Sequence, residues 1–129
     1  MTNPLALIIE DDQKLALIFT QALQQAGYET ETIYDGRTAL ERLAVTTPAV
    51  IVLDLHLPQV SGKDILRQIR QEAHLVGARV MLATADALLA NTLQDEAELI
   101  LLKPISFTQL RDLAIRLRPP NTVDIVDKD

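Results

Sequence analysis

The chain has 129 residues, 48% of them hydrophobic and 23% charged, with a net charge of -6 and no cysteine. That balance fits one globular domain able to bury roughly two-thirds of its unfolded surface. It excludes disulfides, thiol catalysis and thiolate metal sites, argues against nucleic-acid binding, and contains nothing near the roughly 20 apolar residues of a membrane span. An acidic balance suits a cation site or a basic partner as well as a solvated surface.

The opening MTNPLALIIEDD has no basic segment, so it reads as a first strand over Leu5 to Ile9 rather than a signal peptide, and a cytoplasmic location is expected. Leu15, Ile18, Phe19, Ala22, Leu23 and Ala26 then recur at helical spacing, and Gly27 stops that helix. Glu29 to Ile33 alternates weakly, as an edge strand does. Asp35-Gly36 opens a second helix carrying Ala39, Leu40, Leu43 and Ala44, broken by Thr46-Thr47-Pro48. Ala49 to Leu53 is a buried strand. Ser61 suits the N-cap of a third helix with Ile65, Leu66 and Ile69 on its inner face. Arg79 to Ala83 is the next buried strand. A fourth helix is expected between Ala87 and Ala97, using Leu88, Leu89 and Leu93, and Leu99 to Leu102 is the last strand. A final helix from Ser106 to Leu117 carries Phe107, Leu110, Leu113, Ala114 and Leu117. Arg116 and Arg118 favour the negative end of its dipole, and Pro119-Pro120 ends it. Short apolar runs alternating with amphipathic helices predict a doubly wound α/β domain, a parallel sheet with helices on both faces.

Ligands of such a sheet sit beyond the carboxyl ends of its strands. The residues found there are Glu10, Asp11 and Asp12, then Asp54, then Thr84-Ala85-Asp86, then Lys103-Pro104. Asp12 also suits a helix cap. If the strands ending at Ile9 and Leu53 are neighbours, Glu10, Asp11 and Asp54 converge, and like charges so placed call for a cation. The donors are oxygens apart from His56, which favours a hard ion, Mg²⁺ first. A carboxylate beside such an ion can be a nucleophile that forms an aspartyl phosphate. Thr84 and Lys103 would then neutralise the phosphoryl oxygens.

With these residues in place, the chain resembles a response-regulator receiver domain of two-component signalling, over about residues 5 to 118. LIIEDD resembles the family's acidic pair, here Glu10 and Asp11; IVLDLHLPQVSG resembles the phosphoacceptor segment around Asp54. LATAD and LLKPIS resemble the signatures at Thr84 and Lys103. The resemblance implies a flavodoxin-like (βα)5 three-layer sandwich with strand order 2-1-3-4-5. It implies a receiver domain over 1–118, with 119–129 as tail or linker remnant.

It implies roles as well. Asp54 would accept a phosphoryl group from a sensor histidine kinase or a histidine phosphotransfer protein. Asp11, Asp54 and the backbone carbonyl of His56 would ligate Mg²⁺ or Mn²⁺, with Glu10 acting mainly through water. Thr84 and Lys103 would bind the phosphoryl oxygens, helped by backbone N–H groups near Thr84 and Leu55. The Lys-Pro bond of the family is often cis. His56 and Asp86 occupy the two positions that flank the route of hydrolytic water; His56 would tune the phosphoryl lifetime, and Asp86 can pair with it. A downstream protein partner and a homodimer are expectations of the same kind, as is a free-standing receiver, with loss of an attached output domain as the alternative.

Two features depart from the family. The aromatic switch position holds Ile100, so the usual aromatic rotamer switch cannot operate. The Thr84-to-Lys103 segment is about three residues short, close to one helical turn, with Glu96-Ala97-Glu98 where a Gly-Ala step is common. Other readings fit less well. A haloacid-dehalogenase phosphatase needs a second acid two residues after its nucleophile, where this chain has His56. A dinucleotide-binding module needs a Gly-rich turn where this chain has Glu10-Asp11-Asp12-Gln13. A receiver used only for docking is the remaining alternative, opposed by the intact acceptor, acids, threonine and lysine.

Overall fold

Continuous apolar runs give the three central strands two buried faces, so the sheet must be covered on both sides. The structure, a computed structural model, describes residues 3–120, and the segment 121–129 of the expected tail lies outside them. Strands β1 (Leu5–Ile9), β2 (Glu29–Ile33), β3 (Val50–Asp54), β4 (Arg79–Thr84) and β5 (Leu99–Leu102) form one parallel sheet ordered β2-β1-β3-β4-β5. Between and after them lie helices α1 (Gln13–Gln25), α2 (Gly36–Val45), α3 (Gly62–Gln71), α4 (Ala87–Thr92) and α5 (Phe107–Leu117), with a 3-10 turn at Ala73–Leu75 that the sequence pattern did not signal.

On one face, Leu7, Ile9, Ile51, Leu53, Val80 and Leu82 meet Leu43, Ile65, Leu66, Ile69 and Leu93. On the other, Ala6, Ile8, Val50, Val52, Met81 and Ala83 meet Phe19, Ala22, Leu23, Leu110 and Ala114. The helices start where side chains can hold their free N–H groups. Asp12 accepts from Lys14 and Leu15 at 2.9 and 3.0 Å, Asp35 from Thr38 at 2.8 Å, and Ser61 from Asp64 at 3.2 Å. Ser106 accepts from Gln109 at 3.0 Å. The cap role expected of Asp12 is thus realised.

Several expectations are corrected. In α1 the buried face uses Ala16, and Ile18 is exposed; the helix packs on the sheet beside α5. The fourth helix does not run to Ala97. It stops after six residues at Thr92, and Leu88 is 82% exposed rather than facing inward. The stretch between Thr92 and β5 is held by polar contacts instead. The Glu98 carboxylate accepts from the Val80 N–H and pairs with Arg70 of α3 at 3.2 Å, while Arg70 Nε donates to the Glu96 carbonyl at 3.0 Å. Glu96 and Glu98 therefore anchor the short segment where the family has its small residues.

Close approach also shapes the loops beside the sheet's carboxyl edge. A Cβ on Gly62 would lie 2.4 Å from the Asp54 carbonyl oxygen and 2.5 Å from Leu55 Cα. Only a residue without a side chain lets α3 start this near β3. Gly77 has nothing within 4 Å of the corresponding position and no positive φ. Gly62→Ala is expected to lower unfolding stability by about 1–3 kcal/mol through forced overlap. Gly77→Ala is expected to raise it by about 0.4–1 kcal/mol through the unfolded chain's entropy. Urea denaturation of both variants checks the pair, and equal effects would contradict the packing described.

Candidate functional site

The strand order places a topological switch between β1 and β3, where successive crossovers leave in opposite directions and open a crevice at the carboxyl edge. Register fills that crevice with acids. Ile9 pairs with Leu53, so Glu10 and Asp54, the next residue of each strand, stand side by side. Asp54 lies opposite Ala83, and Thr84 opposite Leu102, which brings Lys103 to the same edge. The Lys103 N–H donates to the Thr84 carbonyl at 2.8 Å, and the Lys103-Pro104 bond is cis.

Glu10 and Asp54 are 1% and 2% exposed, and Thr84 is fully buried. Lys103 Nζ donates to Glu10 Oε1 at 2.8 Å and to Asp54 Oδ1 at 3.3 Å. One carboxylate oxygen from each of Glu10, Asp11 and Asp54 lies within 4.8 Å of the others, with Asp11 exposed. Such a set of oxygens, with more negative charge than one ammonium cancels, fits a hard divalent cation. Burial pushes the Glu10 carboxyl up to about 7 against the opposing hydrogen bond from Lys103, and the charge of Asp54 adds to the rise. Burial alone would lower the Lys103 pKa, but its bonds and charge interactions with Glu10 and Asp54 outweigh that and raise it.

The loop after β3 contributes in ways the sequence did not disclose. The His56 N–H donates to Asp54 Oδ1 at 3.2 Å, whereas the N–H of Leu55 is committed to the Ala83 carbonyl at 3.0 Å. The backbone donor to the Asp54 carboxylate near Leu55 is therefore the N–H of His56. The His56 ring lies on Thr84, with Nε2 3.1 Å from Oγ1. The expected His56–Asp86 pairing is not formed. Asp86 instead caps α4, accepting from Leu88 and Leu89 at 3.0 and 3.1 Å, because its position just before the helix favours those N–H groups. Ile100 is half-buried against the core that includes Leu93, with no aromatic ring at that place.

A family model described as the response regulator receiver domain matches residues 6–115. The chain belongs to this family. The receiver is 35% identical to the transcriptional regulatory protein CutR of Streptomyces coelicolor over 107 residues, 81% of this chain and 48% of that protein. It is 43% identical to the response regulator ArlR of Staphylococcus saprophyticus over 65 residues, 50% of this chain and 30% of that protein. It thus spans less than half the length of either relative. Among solved structures, the chemotaxis response regulator CheY4 of Vibrio cholerae shares the fold, with a TM-score of 0.81 at 24% identity over 90% of this chain and 99% of that one. The BeF3-activated DrrB receiver domain superposes with a TM-score of 0.79 at 25% identity, over 91% of this chain and 97% of that one. The receiver fold and its place in two-component signalling are those read from the sequence. Among the described residues no helix is long and apolar enough to cross a membrane.

The raised Glu10 carboxyl gives a signed expectation for the metal-free receiver. Its folded form holds the proton more tightly than the unfolded chain, so its contribution is complete below pH 4.5 and is lost as pH rises through about 7. Glu10→Gln should therefore leave stability nearly unchanged at pH 4.5 and raise it at pH 8, by on the order of 2 kcal/mol. Urea midpoints in chelator at the two pH values test this. A variant less stable than the parent at pH 8 would contradict it.

Proposed function

We propose that this receiver accepts a phosphoryl group on Asp54 from a phosphohistidine of a sensor histidine kinase or histidine phosphotransfer protein, and that the modification changes its binding to a downstream protein. The observation that carries the reading is the pairing of a buried Asp54 carboxylate with Lys103 inside an acid cluster, beside the Thr84 hydroxyl. Asp11, Asp54 and the His56 carbonyl would hold Mg²⁺ or Mn²⁺, with Glu10 acting mainly through water. Bound there, the cation would neutralise phosphoryl oxygens and lower the repulsion met by an anionic donor.

The chain's own residues do the rest. An Asp54 oxygen attacks phosphorus, the P–N bond to the donor imidazole breaks, and its electron pair leaves with the nitrogen, which takes a proton from water. Lys103 pairs with the Asp54 carboxylate before attack and with a phosphoryl oxygen after it. Thr84 donates its hydroxyl proton to another, and the His56 N–H supports the acceptor. Hydrolysis of the acyl phosphate returns Asp54 to its free form, so the protein acts on itself and turns over no separate substrate.

The test is incubation with Mg²⁺ and a small acyl-phosphate or phosphoramidate donor, followed by intact mass. One phosphoryl adduct is expected, absent in Asp54→Asn and formed about ten-fold or more slowly in Thr84→Val. No adduct on the parent protein across donor concentrations would leave a docking-only receiver.

A further inference from the structure

Thr84 Oγ1 carries one proton and can accept two hydrogen bonds. The hydroxyl belongs to a fully buried residue and has two polar neighbours. The Asp86 N–H, at 3.0 Å, can only donate to it. His56 Nε2, at 3.1 Å, is the other. If Nε2 carried a hydrogen, the threonine proton would have no acceptor among these contacts, and a buried donor without a partner is costly. The arrangement that satisfies both groups has the imidazole hydrogen on Nδ1 and the Nε2 lone pair accepting from Thr84.

We propose that His56 is a positioning residue that latches Thr84 in the unmodified receiver. Its ring takes the hydroxyl proton that a phosphoryl group on Asp54 must claim. The inference rests on the phosphoacceptor reading above and deepens it. A single proton cannot serve both acceptors, so modification of Asp54 breaks the bond that Nε2 accepts and frees the His56 ring to move. The ring is already at the surface, while its main chain stays tied to Asp54 through the 3.2 Å bond. Release therefore changes an exposed side chain two residues from the acceptor. That gives this receiver a moving group at the site where residue 100 offers only isoleucine.

Two measurements on the full chain judge the proposal. First, ¹⁵N imidazole spectra of the ligand-free protein, at a pH where the ring is neutral, should show an unprotonated Nε2 in the parent. Its resonance should shift when the hydroxyl is removed in Thr84→Val. A protonated Nε2, or no response to Thr84→Val, overturns the latch whatever the chemistry at Asp54. Second, His56→Phe keeps a planar ring but no acceptor. It should speed adduct formation from a small donor by roughly two- to ten-fold, the equivalent of one neutral hydrogen bond. The gain should vanish when Thr84→Val is also present. An equal gain in both backgrounds, or a slower reaction, overturns the proposal. If the parent protein takes no phosphoryl group at all, it is the phosphoacceptor reading that fails, and the nitrogen assignment still decides the latch.

Discussion

Everything at the carboxyl edge of the sheet depends on one ammonium group. Lys103 stands 2.8 Å from Glu10 and 3.3 Å from Asp54, both almost wholly buried. Two carboxylates at that depth would repel each other and lose their hydration. One lysine offsets part of this, and Glu10 answers the remainder by holding its proton up to about pH 7. Asp11, exposed at the rim, adds further negative charge without a cation of its own in the cluster. The site is therefore built with an excess of negative charge, which fits a divalent cation.

The same residue links the site to the rest of the fold. Its backbone N–H fastens β5 to the end of β4 through the Thr84 carbonyl, while the Thr84 hydroxyl meets His56, whose own N–H returns to Asp54. Asp54, the Thr84 hydroxyl and Lys103 thus form a closed circuit of short contacts across three neighbouring strands. Beyond Thr84 the chain is spare. The six-residue α4 gives way to a segment anchored by Arg70 and Glu98 in place of another helical turn.

Much of this was legible in the sequence because the relevant signals are local. Apolar runs bounded by helix caps define the strands, and acids, threonine and lysine just past those runs define the site. The order of strands turns those ends into neighbours, which meets the condition on which Glu10, Asp11 and Asp54 converge. What escaped detection depended on side-chain direction or on competition. Asp86 was open to a bond with His56 or with the N–H groups of α4, and proximity along the chain favoured the cap. Ile18 has the right spacing for the inner face of α1, but the buried face of that helix runs through Ala16, Phe19, Ala22 and Leu23 instead. Leu93 and Ala97 extend an apolar pattern past Thr92, into the stretch that Arg70 holds in a non-helical path through Glu96 and Glu98. The ring of His56 turns toward Thr84, a direction that no spacing encodes.

The central claim is that the acid cluster carries an excess of negative charge which a divalent cation relieves. Thermal unfolding of the metal-free receiver at pH 8, titrated with Mg²⁺ at constant ionic strength, tests it most directly. The midpoint should rise with Mg²⁺ in a saturable way, as ligand linkage requires, and the rise should be lost in Asp11→Asn and Asp54→Asn. A midpoint indifferent to Mg²⁺, or one that rises equally in those variants, would contradict the account.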